Sequence, residues 1–244
     1  MAQTILKNLF VESKDIDKYP FNLPIFKQDL DINFSKPVTF IVGENGSGKS
    51  TLLENLANCL DFNVLGGNKN HLLNSSENLD NLEISNNMKL SFFYRISKGF
   101  FFRAESFFEF AQYIDYLAKD DRSIYFGYGG KSLQKRSHGE SFIELFGKFK
   151  DGIFILDEPE TALSPERQLT LMAMIEEKIK KYNCQFIIAT HSPILITLPD
   201  SQIYEIDENG KLCIRTYEQT KQFDWYKRFI SDPKKYLRYL LEEN

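Results

Sequence analysis

Leu30, Ile32 and Phe34 alternate with polar neighbours, the pattern of a strand that buries one face. The next apolar stretch, Val38 to Val42, is continuous and ends at Gly43, so a buried strand feeds directly into a glycine-rich turn. Beyond the turn Leu52, Leu53, Leu56, Ala57 and Leu60 recur at helical spacing and predict a helix over 49–60. From Asp61 to Asn87 the chain is rich in Asn and carries Gly66-Gly67 and Ser75-Ser76. That turn-forming composition predicts a long, mobile surface insertion over 61–89.

Aromatic strand candidates follow at 90–94 and 100–102, separated by the polar turn Ser97-Lys98-Gly99, which predicts a hairpin. Residues 105–118 set Phe107, Phe108, Phe110, Ala111, Ile114 and Leu117 on one wide helical face, and 139–149 offers a second, shorter helix. The four-residue apolar runs Ile153 to Leu156 and Phe186 to Ala189 suit central strands of a sheet covered on both faces. Between them Ser164 stands as an N-cap with Pro165 at the first helical position. Met172, Ile175 and Ile179 continue that helix, and Lys178, Lys180 and Lys181 favour its C-terminal end. The order strand, helix, strand implies that the two strands are parallel.

A chain of 244 residues can bury one full core, and 42% apolar with 26% charged residues gives no sign of disorder or a fibrous architecture. One α/β domain over residues 1–244 is the expectation. A net charge of -4 argues against a chain that coats nucleic acid over its whole surface. The basic cluster Lys131, Lys135 and Arg136 reads as a solvated face, so nucleic acid stays open but unsupported as a partner. Cys59, Cys184 and Cys213 form no CxxC pair and read as reduced packing thiols. The longest apolar runs are strand-sized, which predicts no membrane span, and the first residues lack a secretory signal, which predicts a cytoplasmic protein. The C-terminal apolar positions Phe223, Trp225, Tyr226, Phe229, Ile230, Leu237, Leu240 and Leu241 are expected to pack terminal helices on the core, with docking of a partner as the alternative.

The densest chemical signal is Gly43-Glu44-Asn45-Gly46-Ser47-Gly48-Lys49-Ser50, which satisfies GxxxxGK[ST] between a predicted strand and a predicted helix. Glycines let the backbone wrap a phosphate, and free N–H groups at a helix N-terminus favour the anion. Lys49 is then expected to reach the terminal phosphates, Ser50 to coordinate magnesium, and Thr51 to touch a nearer phosphate. Asp157 closes the apolar strand after Leu156, where a carboxylate can hold the magnesium ion directly or through water. Glu158 follows at once and is placed to orient a water toward the γ-phosphate.

With these motifs in order, the chain resembles an ABC-type ATPase. Ser137-His138-Gly139-Glu140 resembles that family's signature loop, Glu160-Thr161-Ala162-Leu163-Ser164 its D-loop, and Thr190-His191-Ser192 its switch-histidine loop. The resemblance spans at least residues 38–200. It implies a P-loop fold with a mixed sheet between helices, an N-terminal antiparallel β portion and a helical signature subdomain at 104–150. It also implies an ATP-bound homodimer in which Ser137, Gly139 and Glu140 of one copy meet the nucleotide of the other, with His191 as γ-phosphate sensor. The phrases Gly99 to Phe108, Ser137 to Phe142 and Asp157-Glu158-Pro159-Glu160 are closer to small stand-alone bacterial ATPases of the AAA, RecF-like and SMC-like kind.

Transporter subunits of the family usually carry a lid glutamine where this chain offers Arg103 and Glu105. Either could substitute, and the alternative is an ordinary strand-end pair. Tyr19 and Phe21 are the candidates for stacking on adenine, with plain packing beside Pro20 as the alternative. No [NT]KxD guanine-reading sequence occurs, which favours ATP. His71 reads as a loop residue. The functional expectation is a soluble, ATP-hydrolysing homodimer that drives a conformational change in an unidentified protein partner, in DNA maintenance or defence. The nucleotide-binding subunit of a membrane transporter and a non-hydrolytic ATP-bound scaffold are the alternatives.

Overall fold

The computed structural model describes residues 4–241 except Asp15, Leu65, 68–78, Ile96, 128–131 and 133–137. Ser137, His71 and the basic residues Lys131, Lys135 and Arg136 therefore lie outside the described residues. Strand β1 (Leu6–Val11) and strand β2 (Leu30–Asn33) each leave some positions open, whereas β3 (Val38–Val42) is buried at every position. That difference sorts them into two sheets, because a strand alternating in burial needs cover on one face and a continuously apolar strand needs it on both. After β3 come helix α1 (Lys49–Cys59), β4 (Met88–Phe92), β5 (Gly99–Arg103), α2 (Phe107–Asp120), the short α3 (Ile124–Gly127) and α4 (His138–Lys148). The chain continues through β6 (Gly152–Asp157), α5 (Pro165–Lys181), β7 (Cys184–Ala189), β8 (Gln202–Ile206) and β9 (Leu212–Arg215) to α6 (Lys221–Ser231) and α7 (Pro233–Leu241).

A three-stranded antiparallel sheet has the order β2-β1-β4, and a six-stranded sheet has the order β5-β6-β7-β3-β8-β9. The larger sheet is parallel from β5 to β8, and only β9 runs antiparallel to its neighbour. The mixed sheet and the antiparallel N-terminal portion match expectation. The predicted hairpin does not form, because β4 and β5 belong to different sheets. Phe100, Phe101 and Phe102 are all buried and demand cover on both faces of β5, while Lys89 and Ser91 keep one face of β4 exposed.

Successive residues of a strand point to opposite faces, and the core divides accordingly. Ile41, Ile155 and Ile187 face a cluster shared with the small sheet and α1. Phe40, Phe102, Phe154 and Phe186 face a second cluster with α2, α4 and α5. There Phe102 lies 4.0 Å from Phe142 between ring centroids, and Phe146 lies 5.7 Å from Phe186, so aromatic contacts seat α4 on the sheet. Helix α5 starts as predicted, with the Ser164 side chain accepting from Arg167 N and Pro165 in the first turn. Lys178, Lys180 and Lys181 lie in the last turn of α5, as expected, and Lys178 turns inward. It is buried, and its Nζ donates to the carbonyls of Gly147 and Phe149.

Two further expectations are corrected. The 61–89 stretch is not simply an insertion: Leu79–Asn87 forms a 3-10 segment whose Ile84 is fully buried, and Ser85 N donates to Asn55 Oδ1 of α1 at 2.7 Å. At the C-terminus Trp225 is 56% and Ile230 70% exposed, so α6 and α7 do not pack broadly on the core. Trp225 stacks on Phe229 with Tyr236 tilted against both, and among the described side chains of these helices only Phe223 reaches the main core, edge-on to Tyr217. The cysteines are free thiols, and burial pushes Cys59 up to about 11 and Cys184 up to about 12. Among the described residues no helix is long and apolar enough to cross a membrane.

Candidate functional site

Parallel strands put their C-terminal ends on the same side of a sheet, and ligand sites of such sheets form there. Gly43 follows the end of β3 and Asp157 ends β6, with only β7 between those strands. The intervening loop turns sharply at Gly48, whose φ of 104° is left-handed and whose absent Cβ would meet Ile25 Cγ2 at 2.5 Å. Lys49 opens α1 almost fully buried, its Nζ donating to the carbonyls of Gly43 at 2.8 Å and Glu44 at 2.9 Å. Burial lowers the Lys49 pKa, against the opposing pull of Glu158, Asp157 and Glu160.

The next residue joins α1 to the end of β6: Ser50 Oγ donates to Asp157 Oδ1 at 3.1 Å. Asp157 is buried, which pushes its pKa up to about 7 in spite of Arg103 and the Ser50 hydroxyl. Glu158 sits in the left-handed region at φ 48° and ψ 52°, a costly conformation for a residue with a Cβ. Its backbone N–H donates to Ala189 O at 3.0 Å, which ties the bend to the end of β7. Glu158 Oε1 thereby comes 3.5 Å from His191 Nε2. Burial first, and Lys49 second, lower the His191 pKa, which keeps the imidazole neutral at neutral pH.

A cavity of about 390 Å³ beside this loop is lined by Gly43 to Ser47, His191, the end of β8 and Trp225 of α6. Thr51 faces Tyr19, a residue 39% exposed whose hydroxyl lies 3.4 Å from Thr51 Oγ1. Phe21 is buried in the core with Lys14 over its ring, so it offers no free face to a base and the pair reduces to Tyr19.

Gly139 and Glu140 stand elsewhere, at the start of α4. A Cβ on Gly139 would meet Ala162 O at 2.6 Å, and Glu140 pairs with Arg167 of α5 at 3.0 Å. Neither lines the cavity at the glycine-rich loop. Arg103 pairs in register with Asp157 and forks between Glu54 at 2.5 Å and Glu105 at 3.0 Å. Glu54 escaped the sequence reading because nothing local distinguishes it from a solvated helix carboxylate. Its only signal is its position among Leu52, Leu53 and Leu56, on the buried side of α1.

Among the described residues no three His, Cys, Asp or Glu side chains converge as a self-sufficient metal cluster. The donor set Ser50 and Asp157 nevertheless fits magnesium, a hard cation that is commonly bound through one or two protein oxygens plus phosphate and water.

A buried parallel strand, a GxxxxGK[ST] loop opening a helix, and an acidic strand end bonded to its serine define a P-loop nucleotide-binding domain. A family model for the AAA domain matches residues 21–242, and the chain belongs to that family. Among solved structures it resembles cbiO1 from Clostridium perfringens, part of the ABC transporter complex cbiONQ. The identity is 17%, with 98% of this chain and 100% of that one covered at a TM-score of 0.51. It also resembles the SmcHead bound to the C-winged helix domain of ScpA, at 15% identity, 89% and 99% coverage and a TM-score of 0.51. Both likenesses are of fold. A comparison with curated proteins finds no match.

Proposed function

We propose that this chain binds ATP with magnesium on residues 43–51 and hydrolyses it as an ATP-sandwiched homodimer, moving an unidentified protein partner. Residues 1–244 act as one ATPase unit in the cytoplasm, with 104–150 as the subdomain that carries the signature. The observation that supports this best is the meeting of Ser50 with Asp157 at 3.1 Å beside the Glu158–His191 pair at 3.5 Å. Backbone N–H groups of Gly43, Glu44, Asn45, Gly46, Ser47 and Gly48 bind the phosphates, and Thr51 adds a contact to a nearer one. The Lys49 ammonium, now held by two loop carbonyls, exchanges them for phosphate oxygens.

Ser50 and Asp157 hold magnesium, which supplies charge neutralisation of the phosphates when bound. Glu158 orients the attacking water and accepts its proton, and neutral His191 donates to the terminal phosphate. Gly139 and Glu140, held away from the loop of their own chain, serve with Ser137 the site of the second copy. Phosphate release by the wild type with ATP and magnesium, compared with Glu158→Gln, tests this. A wild type without turnover at any concentration of protein refutes it.

A further inference from the structure

The turn after the acidic strand end is bolted to the turn that carries His191. Glu160 Oε1 accepts from His191 N at 2.5 Å. Behind it, Gln168 of α5 spans the same two turns: its Nε2 donates to Leu163 O at 3.2 Å and its Oε1 accepts from Ser192 Oγ at 2.5 Å. Ser192 Oγ in turn accepts from the backbone N–H groups of Ile194 and Leu195, each at 3.1 Å, and Ser192 N donates to Thr190 Oγ1 at 2.9 Å. Thr190, Ser192 and Gln168 are all buried.

A clamp of this kind is an expensive way to hold a surface turn. The Glu160 carboxylate is largely withdrawn from water, and its second oxygen, Oε2, is buried with no hydrogen-bond partner among the described residues. Groups left in that condition recur where position matters more than stability. The turn Pro159–Ala162 is also the surface against which the N-terminus of α4 packs, through Gly139 and Ala162. One rigid path thus runs from the start of α4, through the 159–163 turn, to the backbone of His191.

We propose that Glu160, backed by Gln168, is a positioning residue that holds the His191 imidazole opposite Glu158 and makes it move with the 159–163 turn. The inference rests on the roles given above to His191 and Glu158. Glu160 touches no reacting atom in this scheme, since its carboxylate is bonded to the backbone N–H of the switch turn.

The test is a double-mutant cycle on the full-length protein, read as turnover and as equilibrium ATP affinity. Glu160→Ala should slow turnover about 10-fold or more, the scale on which misplacing a group by ~1 Å acts, while ATP affinity changes little. Glu160→Gln, whose amide oxygen still accepts from His191 N, should restore most of the rate. Gln168→Ala, which removes the second arm alone, should give a smaller loss of the same kind and stands in if Glu160→Ala does not fold. Combined with His191→Ala, either substitution should cost nothing further, because the group it positions is gone. Additive losses in the His191→Ala background overturn the inference while leaving the role of His191 intact. A fully active His191→Ala protein removes the sensor role and this inference with it.

Discussion

Ser50 and Asp157 stand 107 positions apart in the chain and 3.1 Å apart in the fold. One hydroxyl–carboxylate bond therefore joins the helix that opens at the glycine-rich loop to the strand that ends in the acidic pair. Whatever binds between them must replace that bond, and a hard divalent cation is the ligand that can do so without leaving either oxygen unpaired.

Burying Asp157 as an anion is costly. Burial raises its pKa from 3.8 to about 7, so over that window the folded protein keeps a proton that the unfolded chain has released. Stability conferred this way falls as pH rises from 3.8 through about 7 and is lost above it. Asp157→Asn should therefore melt higher than the nucleotide-free wild type at pH ~8, with the gap narrowing toward pH ~5. It should also lose the magnesium-dependent gain in nucleotide affinity. Thermal unfolding at the two pH values checks the first point; equal melting curves at both would contradict the burial argument.

Lys49→Ala should weaken ATP binding by about 10-fold or more, since the charged contact to the terminal phosphates goes while the backbone cradle remains. The single tryptophan of the chain, Trp225, lines the cavity at Glu44, Asn45 and Gly46, so its fluorescence should report binding directly. Calorimetry supplies the affinity. An unchanged dissociation constant would remove Lys49 from the site.

Glu158→Gln keeps the size and most of the hydrogen bonding of the side chain but loses its basicity. Hydrolysis should fall about 100-fold or more, with nucleotide affinity nearly unchanged. Because ATP then persists, the variant should accumulate as a dimer on adding ATP and magnesium while the wild type returns toward monomer. Phosphate release and light scattering on the same samples separate the two effects.

The composite site is tested by mixing two inactive proteins. Lys49→Ala spoils the phosphate loop and Glu140→Arg the signature, so a heterodimer keeps one site with both halves intact. With free exchange the mixture should recover about a quarter of wild-type turnover, half the dimers each holding one of two sites. The Glu140 side chain is 54% exposed and pairs with Arg167 at the surface of the fold, so its replacement should be tolerated. Gly139→Asp suits the experiment less well, because its Cβ would collide with Ala162 O in the same chain. No recovery at any ratio would argue that each chain works alone.

The sequence by itself determined the parts whose causes lie within a few residues. A five-residue apolar run, glycines where the backbone must turn left-handed, and a lysine at the first turn of a helix make a phosphate loop legible without coordinates. The same holds for Ser164 and Pro165, whose capping chemistry starts α5 where the periodicity begins. Burial decided the rest. Two aromatic strands that read as neighbours went to different sheets, because Phe100, Phe101 and Phe102 must all be covered while β4 keeps an open face.

Phe21 and Tyr19 are equivalent as aromatic residues beside a proline, yet packing buries one and leaves the other next to Thr51. The pairings of Arg103 with Glu54 and of Glu160 with His191 follow from strand order, which sets β5, β6 and β7 side by side. Such pairs carry no local signature: periodicity and turn chemistry act along the chain, whereas lateral strand order is fixed by which apolar faces must be shared across it.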